Sequence, residues 1–155
     1  MGDRMKWAMV AVACCAALTA SAADNKPIHP KVFEMILSWI SDMGSPVATE
    51  VSLTAMRRNN DQFQYNHVTM ADGMVKWAEG GVQKTGIFGP PSMWYRLESL
   101  GKMKYRSHFF SNGGGSFTRY AKIDFTIGTK TLSIDGKVDV EVEVLTVVGV
   151  DGRLE

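Results

Sequence analysis

A run of four basic side chains at every second position near residue 105 is the first candidate site. Its members are Lys102, Lys104, Arg106 and His108. Side chains alternate between the two faces of a β-strand, so all four are expected on one face of a strand over 102–110. Such a strip would bind an anion, either a phosphate, a nucleic acid or an acidic glycan. The alternative is a solvated face that pairs with a neighbouring acidic row, formed by Asp139, Glu141 and Glu143.

An apolar loop and the segment that follows it form a second candidate, for contact with a protein. The residues concerned are Ile87, Phe88, Trp94 and Tyr95. Ile87 and Phe88 lie between glycines and prolines, as in an exposed loop. Aromatic residues and Met are enriched at protein contact surfaces, but they also fill the cores of small domains. Packing in the core therefore remains the alternative.

The third candidate is a pocket around His67, which shares a predicted strand face with Tyr65. If the sheet curved around a pocket, His67 would form an acid–base pair with Asp124 or with Asp72. The alternative is a semi-buried structural histidine. The remaining histidine, His29, precedes a proline in a polar segment and is expected to be exposed.

Motifs that mark catalysis or metal binding do not occur in the sequence. It has no HExxH, CxxC or His-x-His spacing and no Gly-x-Ser-x-Gly elbow. We therefore predict no metal and no cofactor, and an enzymatic activity is not favoured. The 155 residues suit one domain, and 17 Lys+Arg against 16 Asp+Glu give no indication of a nucleic-acid partner.

The first 22 residues have the pattern of a cleaved export signal. Arg4 and Lys6 precede an apolar run over 7–18, which is too short to span a membrane, and Ala20-Ser21-Ala22 offers a cleavage site. Both cysteines lie inside this segment, so the mature domain would be cysteine-free, with equal numbers of acidic and basic residues. We therefore expect a periplasmic or secreted protein, most consistent with a bacterium.

Hydrophobic periodicity predicts the elements that position these candidates. After the signal (1–22) and a leader (23–30), a single domain (31–155) is expected. Helices are predicted over 31–43 and 92–100. Strands are predicted over 47–55, 62–70, 74–78, 102–110, 117–127, 131–134 and 137–148. The class is therefore α+β, with an antiparallel sheet of about six to seven strands in hairpins and two helices on one face.

The order of helix followed by long strands resembles the cystatin-like and NTF2-like folds, and is similar to ferredoxin-like periplasmic modules of pilus and secretion machinery. These resemblances concern element order alone. They are compatible with three functions. The first is a non-enzymatic exported binding or assembly module acting through a protein contact with itself or another protein. The others are a small-molecule or catalytic pocket around His67, and an anion or glycan binder that uses the 102–108 strand.

Overall fold

The computed structural model describes residues 26–38, 46, 48–80, 89–134, 136 and 138–154. Its helices are α1 (Pro30–Leu37), α2 (Leu53–Arg58) and α3 (Asn60–Phe63), with a 3₁₀ turn at Tyr65–His67. Its strands are β1 (Glu50–Ser52), β2 (Val68–Ala71), β3 (Met74–Ala78), β4 (Ser92–Gly101), β5 (Lys104–Asn112), β6 (Thr118–Ile134) and β7 (Val138–Leu154). The predicted signal segment lies outside the described residues.

All seven strands form one antiparallel sheet in the order β1-β7-β6-β5-β4-β3-β2. From β2 to β7, strands that follow one another in the sequence pair with one another, and β1 pairs with the other edge of β7. The predicted antiparallel sheet and its strand number are confirmed. The fold is mostly sheet with a few short helices, because one of the two predicted helices is a strand.

One face of the sheet, here called the inner face, carries the helices and the core. α1 packs across β3, β4 and β5, while α2 packs on β7. Phe33 of α1 lies at the centre, with its ring centroid 4.8 Å from that of Tyr95, 5.8 Å from Phe109 and 5.7 Å from Phe125. Burial of these rings stabilises the packing of α1 on the sheet.

The second predicted helix, over 92–100, is wrong: these residues form β4. Met93, Leu97 and Leu100 fit a helical stripe, but Met93 and Tyr95 also fit a period of two. Both of these are buried on the inner face. Hydrogen-bonded partners on both sides, β3 and β5, favour the extended conformation over a helix that would leave Tyr95 outside its apolar stripe.

Other boundaries differ from their predictions for local reasons. The described helix α1 ends at Leu37, and 39–43 lie outside the described residues. The predicted strand over 47–55 is interrupted because Ser52 Oγ accepts the Ala55 N–H and starts α2. Most of the predicted strand over 62–70 is helical up to His67, and β2 begins at Val68.

A tight hairpin turn at Asp72-Gly73 joins β2 and β3. Both residues have positive φ, 51° and 73°, as the tight turn between β2 and β3 requires. Val148 of β7 is exposed. It lies at a bulge, because Asp124 pairs with Gly149 while Phe125 pairs with Val147.

The hairpin of β6 and β7 extends beyond the rest of the sheet. β6 last pairs with β5 at Thr126, and β7 pairs with β1 only over Val144–Thr146. Residues 129–134 and 138–143 pair with each other past both limits. We call these two segments the arm, which is about 20 Å long at about 3.3 Å per residue.

Candidate functional site

The sheet face opposite the helices, here called the outer face, carries three aromatic side chains in one row. Trp94 of β4 pairs in register with Phe110 of β5, and Phe110 pairs with Tyr120 of β6. Directly paired residues on antiparallel strands point to the same side of a sheet. We call Trp94, Phe110 and Tyr120 the aromatic row. All three are half-buried, although α1 and α2 pack on the opposite face.

The rings of the aromatic row contact one another, with Trp94 stacked on Phe110 and Phe110 tilted against Tyr120. Trp94 and Phe110 are nearly parallel, with an interplanar angle of 7° and centroids 5.5 Å apart, and Phe110 and Tyr120 are 4.8 Å apart. Lys76 Nζ lies 5.9 Å from the Trp94 centroid. Phe110 and Lys76 therefore flank the Trp94 ring, and Phe110 lies between Trp94 and Tyr120. Stacking of a sugar or a base needs an unoccupied ring face, which this arrangement does not favour.

His108 links the aromatic row to the adjacent charges. Its Nδ1 lies 2.9 Å from the Tyr120 hydroxyl, and its Nε2 lies 3.3 Å from Glu98 Oε2. The two rings also stack, at 6.3 Å and 21°. These contacts fix the orientation of the Tyr120 ring at one end of the row.

Farther along the outer face, towards the β4–β5 turn, Arg106 of β5 forms an ion pair with Asp124 of β6. Arg106 Nε and Nη2 donate to the two carboxylate oxygens of Asp124 at 2.7 and 2.8 Å. This bidentate hydrogen bonding, together with the arginine charge, lowers the pKa of Asp124 and raises that of Arg106. The pair is internally satisfied, which makes Arg106 a poor anion ligand.

Four other basic side chains of this face have no carboxylate partner within hydrogen-bond distance among the described residues. We call them the outer cations: Lys76, Arg96, Lys104 and Lys122. Arg96 donates to the backbone carbonyl of Asp72 at 3.3 Å. Lys76 lies at the β3 end of the aromatic row, and Arg96 and Lys122 lie in the next row of side chains towards the β4–β5 turn.

The predicted basic strip is divided between a turn and the sheet. Lys102 lies in the β4–β5 turn with a φ of 49°, whereas Lys104, Arg106 and His108 lie on the outer face of β5. The expected acidic complement on β7 is not adjacent, because β6 lies between β5 and β7. Arg106 pairs with Asp124 of β6 instead.

The predicted aromatic contact segment is also divided. Ile87 and Phe88 lie outside the described residues. Trp94 lies on the outer face, whereas Tyr95 is 2% exposed on the inner face, where its hydroxyl donates to the Ile28 carbonyl at 2.6 Å. Burial raises the pKa of Tyr95.

The residues of the predicted pocket are not brought together. His67 ends the 3₁₀ turn before the edge strand β2, while Asp124 lies on β6, four strands away. Nδ1 of His67 is buried and has no hydrogen-bond partner among the described residues. Tyr65 donates its hydroxyl to the Pro27 carbonyl at 3.1 Å, and burial raises its pKa to about 12.

His29, expected to be exposed, is fully buried and begins α1. Its Nδ1 accepts the Lys31 N–H at 3.1 Å, and its ring packs edge-on against Phe63 and Tyr65 at 5.4 and 5.1 Å. Burial, and then the charge of Lys31, lower its pKa to about 3. The predicted leader therefore enters the core: Ile28 is also buried. The sequence signal for this cap is Pro30, because proline favours the first position of a helix and so makes the preceding residue the N-cap.

The arm carries acidic side chains on the side that continues the inner face. Asp139 and Glu141 are exposed there, opposite Ser133 and Thr131. Glu143, at the base of the arm, pairs with an arginine of α2. The exposed acidic residues and the outer cations thus lie on opposite faces of the sheet.

Phe110 and Tyr120 are not among the residues predicted from the sequence. The sequence does carry a signal for Phe110, because it shares alternating positions with Lys104, Arg106 and His108, the polar residues of its strand. A large aromatic residue at a polar-parity position marks an exposed aromatic side chain.

Among the described residues, no three His, Cys, Asp or Glu side chains come together as a metal-binding group. No helix in that part of the chain is long and apolar enough to cross a membrane. Comparison with known proteins gives no match, either to a family model, to a curated protein or to a solved structure.

Proposed function

We propose that this protein is an exported, non-enzymatic binding module that contacts a protein partner through the aromatic row of its outer face. The observation that carries the proposal is the position of three large aromatic side chains on the face away from the helices. A sheet with one helix-covered face ordinarily presents polar side chains on the other. Aromatic residues surrounded by polar and charged ones match the core and rim of a protein interface.

The contacts that the rings already make support a protein, rather than a flat sugar or a base, as the partner. Trp94 is covered by Phe110 on one side and approached by Lys76 on the other. The row therefore presents ring edges together with cationic side chains. Peptide carbonyls, carboxylates and apolar side chains complement such a surface.

Export is supported by the charged start, apolar run and small-residue site in the first 22 residues. The mature protein would then act in the periplasm or outside the cell. N-terminal sequencing of the protein recovered after expression tests this point, with a start at Ala23 expected. An intact Met1 on cell-retained protein would contradict export.

Photo-crosslinking in the producing cell tests the contact surface. A photoreactive phenylalanine analogue replaces Phe110, and in a matched control it replaces Met35, which is exposed on α1. We expect protein adducts, identified by mass spectrometry, from position 110 and not from position 35. No protein adduct from position 110, or the same adducts from both positions, would overturn the proposal.

The outer cations favour a second candidate function, the binding of an anionic glycan. That reading predicts salt-sensitive retention on heparin that is lost when Arg96, Lys104 and Lys122 are replaced together by Ala. Replacement of Phe110 by Ser would leave this retention unchanged, whereas it would abolish contact with a protein through the aromatic row.

A further inference from the structure

We infer that the arm of one copy of this chain docks on the outer face of a second copy. The inference rests on the proposed function, because it uses the same outer face, and it names the partner as another copy. The complementary charges are carried by the same molecule: exposed Asp139 and Glu141 on the arm, and the outer cations on the sheet.

The fold prevents these two surfaces from meeting within one chain. Asp139 and Glu141 have the parity of the inner face, opposite Ser133 and Thr131, whereas Lys104 and Arg96 lie on the outer face. The arm also extends past the last β5–β6 pair at Thr126, so it points away from the aromatic row of its own sheet. Pairing of the two surfaces therefore requires a second molecule.

The arm is accessible for such a contact. Its residues Thr129, Thr131 and Ser133 are exposed alongside the two carboxylates, and Leu132 on its other side is 48% exposed. On that other side Val142, near the base of the arm, is only 9% exposed, but no arm side chain belongs to the core cluster on the inner face, whose buried member from β7 is Leu145. A projecting two-stranded hairpin is marginally stable alone, and a docked partner would stabilise it.

The symmetry and strength of the contact follow from its geometry. Two different surfaces meet, so the contact closes either a two-fold dimer, in which each arm lies on the outer face of the other copy, or a ring or open chain of copies. An arm about 20 Å long and two strands wide covers a small area, so each contact is weak. The contact joins opposite charges on a chain that is nearly neutral overall, with 17 Lys+Arg and 16 Asp+Glu. Added salt screens such a contact, so the assembly is sensitive to salt.

Charge reversal on each surface provides the test, with the full chain followed by sedimentation velocity over a wide concentration range. The arm variant is Asp139→Lys with Glu141→Lys, and the face variant is Arg96→Glu with Lys104→Glu. A matched control reverses two exposed carboxylates outside the arm, Asp61→Lys with Glu79→Lys.

We expect the unaltered chain and the control to associate with rising concentration in 0.02 M NaCl and to dissociate in 0.5 M NaCl. This change in salt shortens the screening length about fivefold. Each reversal variant alone should remain monomeric. A mixture of the two variants should associate again, because each then offers a surface complementary to the other. A monomeric unaltered chain at every concentration, association of a reversal variant alone, or a mixture that stays monomeric would overturn the inference. Photo-crosslinks from position 110 to a different protein would in those cases leave the proposed function standing.

Discussion

Acid should destabilise this protein through His29, and the effect can be isolated with one substitution. The imidazole is fully buried against Phe63 and Tyr65, and its Nδ1 accepts the N–H that begins α1. Protonation would place a charge in the core and replace this acceptor with a donor. Both consequences oppose folding in the protonated state, so the pKa falls from 6.5 to about 3.

The sign and size of this effect on the free energy of unfolding follow from proton linkage. Between pH 6.5 and about 3 the unfolded chain carries a proton on His29 that the folded chain does not, so the free energy of unfolding decreases as the pH falls. With these two pKa values, the loss from pH 8 to pH 5 is about 2 kcal/mol, and at pH 4 it reaches about 3 kcal/mol. This is a large part of the stability of a typical domain.

Urea unfolding at pH 8 and pH 5, followed by tryptophan fluorescence, measures the effect. In the variant His29→Asn, the side-chain oxygen can still cap α1, but the group no longer titrates. The variant is expected to be less stable at both pH values because it loses ring packing. Its loss from pH 8 to pH 5 should be about 2 kcal/mol smaller than that of the unaltered chain. Parallel pH dependences in the two proteins would refute the buried, neutral assignment of His29.

Three further predictions concern the sheet. Gly73→Ala should reduce the free energy of unfolding by about 1 to 2 kcal/mol, because its φ of 73° strains any residue with a Cβ, whereas Gly113→Ala should cost less in the same thermal melts. Tyr95→Phe should cost about 1 to 3 kcal/mol in urea unfolding, because it leaves a buried carbonyl without its donor; a change within error would contradict that hydrogen bond. Arg106→Gln should raise the pKa of Asp124 towards 3.8, measured by NMR, and should lessen the stability lost as the pH falls through that range; an unmoved pKa would show that the ion pair does not form in solution.

Period-two alternation was sufficient to predict most of the sheet, but β4 shows the limit of this pattern. β3, β5, β6 and β7 alternate over their predicted cores, and Asp72-Gly73 supplies the turn chemistry of a hairpin. β4 was mistaken because its spacing fits both periods, and the choice depends on hydrogen-bonded neighbours that are remote in sequence.

The candidate site was harder to predict than the fold, for a physical reason. Trp94, Phe110 and Tyr120 are 10 or more residues apart in sequence, and only the register of three strands makes them neighbours. The burial of His29 likewise depends on residues more than 30 positions away, such as Tyr65. Alternation assigns each side chain to a face, but register decides which ones touch.

The placement of aromatic residues supports the proposed contact surface on the outer face. The inner face already has a sufficient aromatic core, in which Phe33 touches Tyr95, Phe109 and Phe125. A second aromatic cluster on the solvent side, exemplified by the stacked pair of Trp94 and Phe110, adds cross-strand attraction of about 1 kcal/mol or less per pair. Threonine or valine would stabilise a half-exposed strand position about as well and leave less apolar surface in water. Three rings at these positions, beside cations that have no carboxylate within hydrogen-bond distance among the described residues, support the proposal that a partner covers this face.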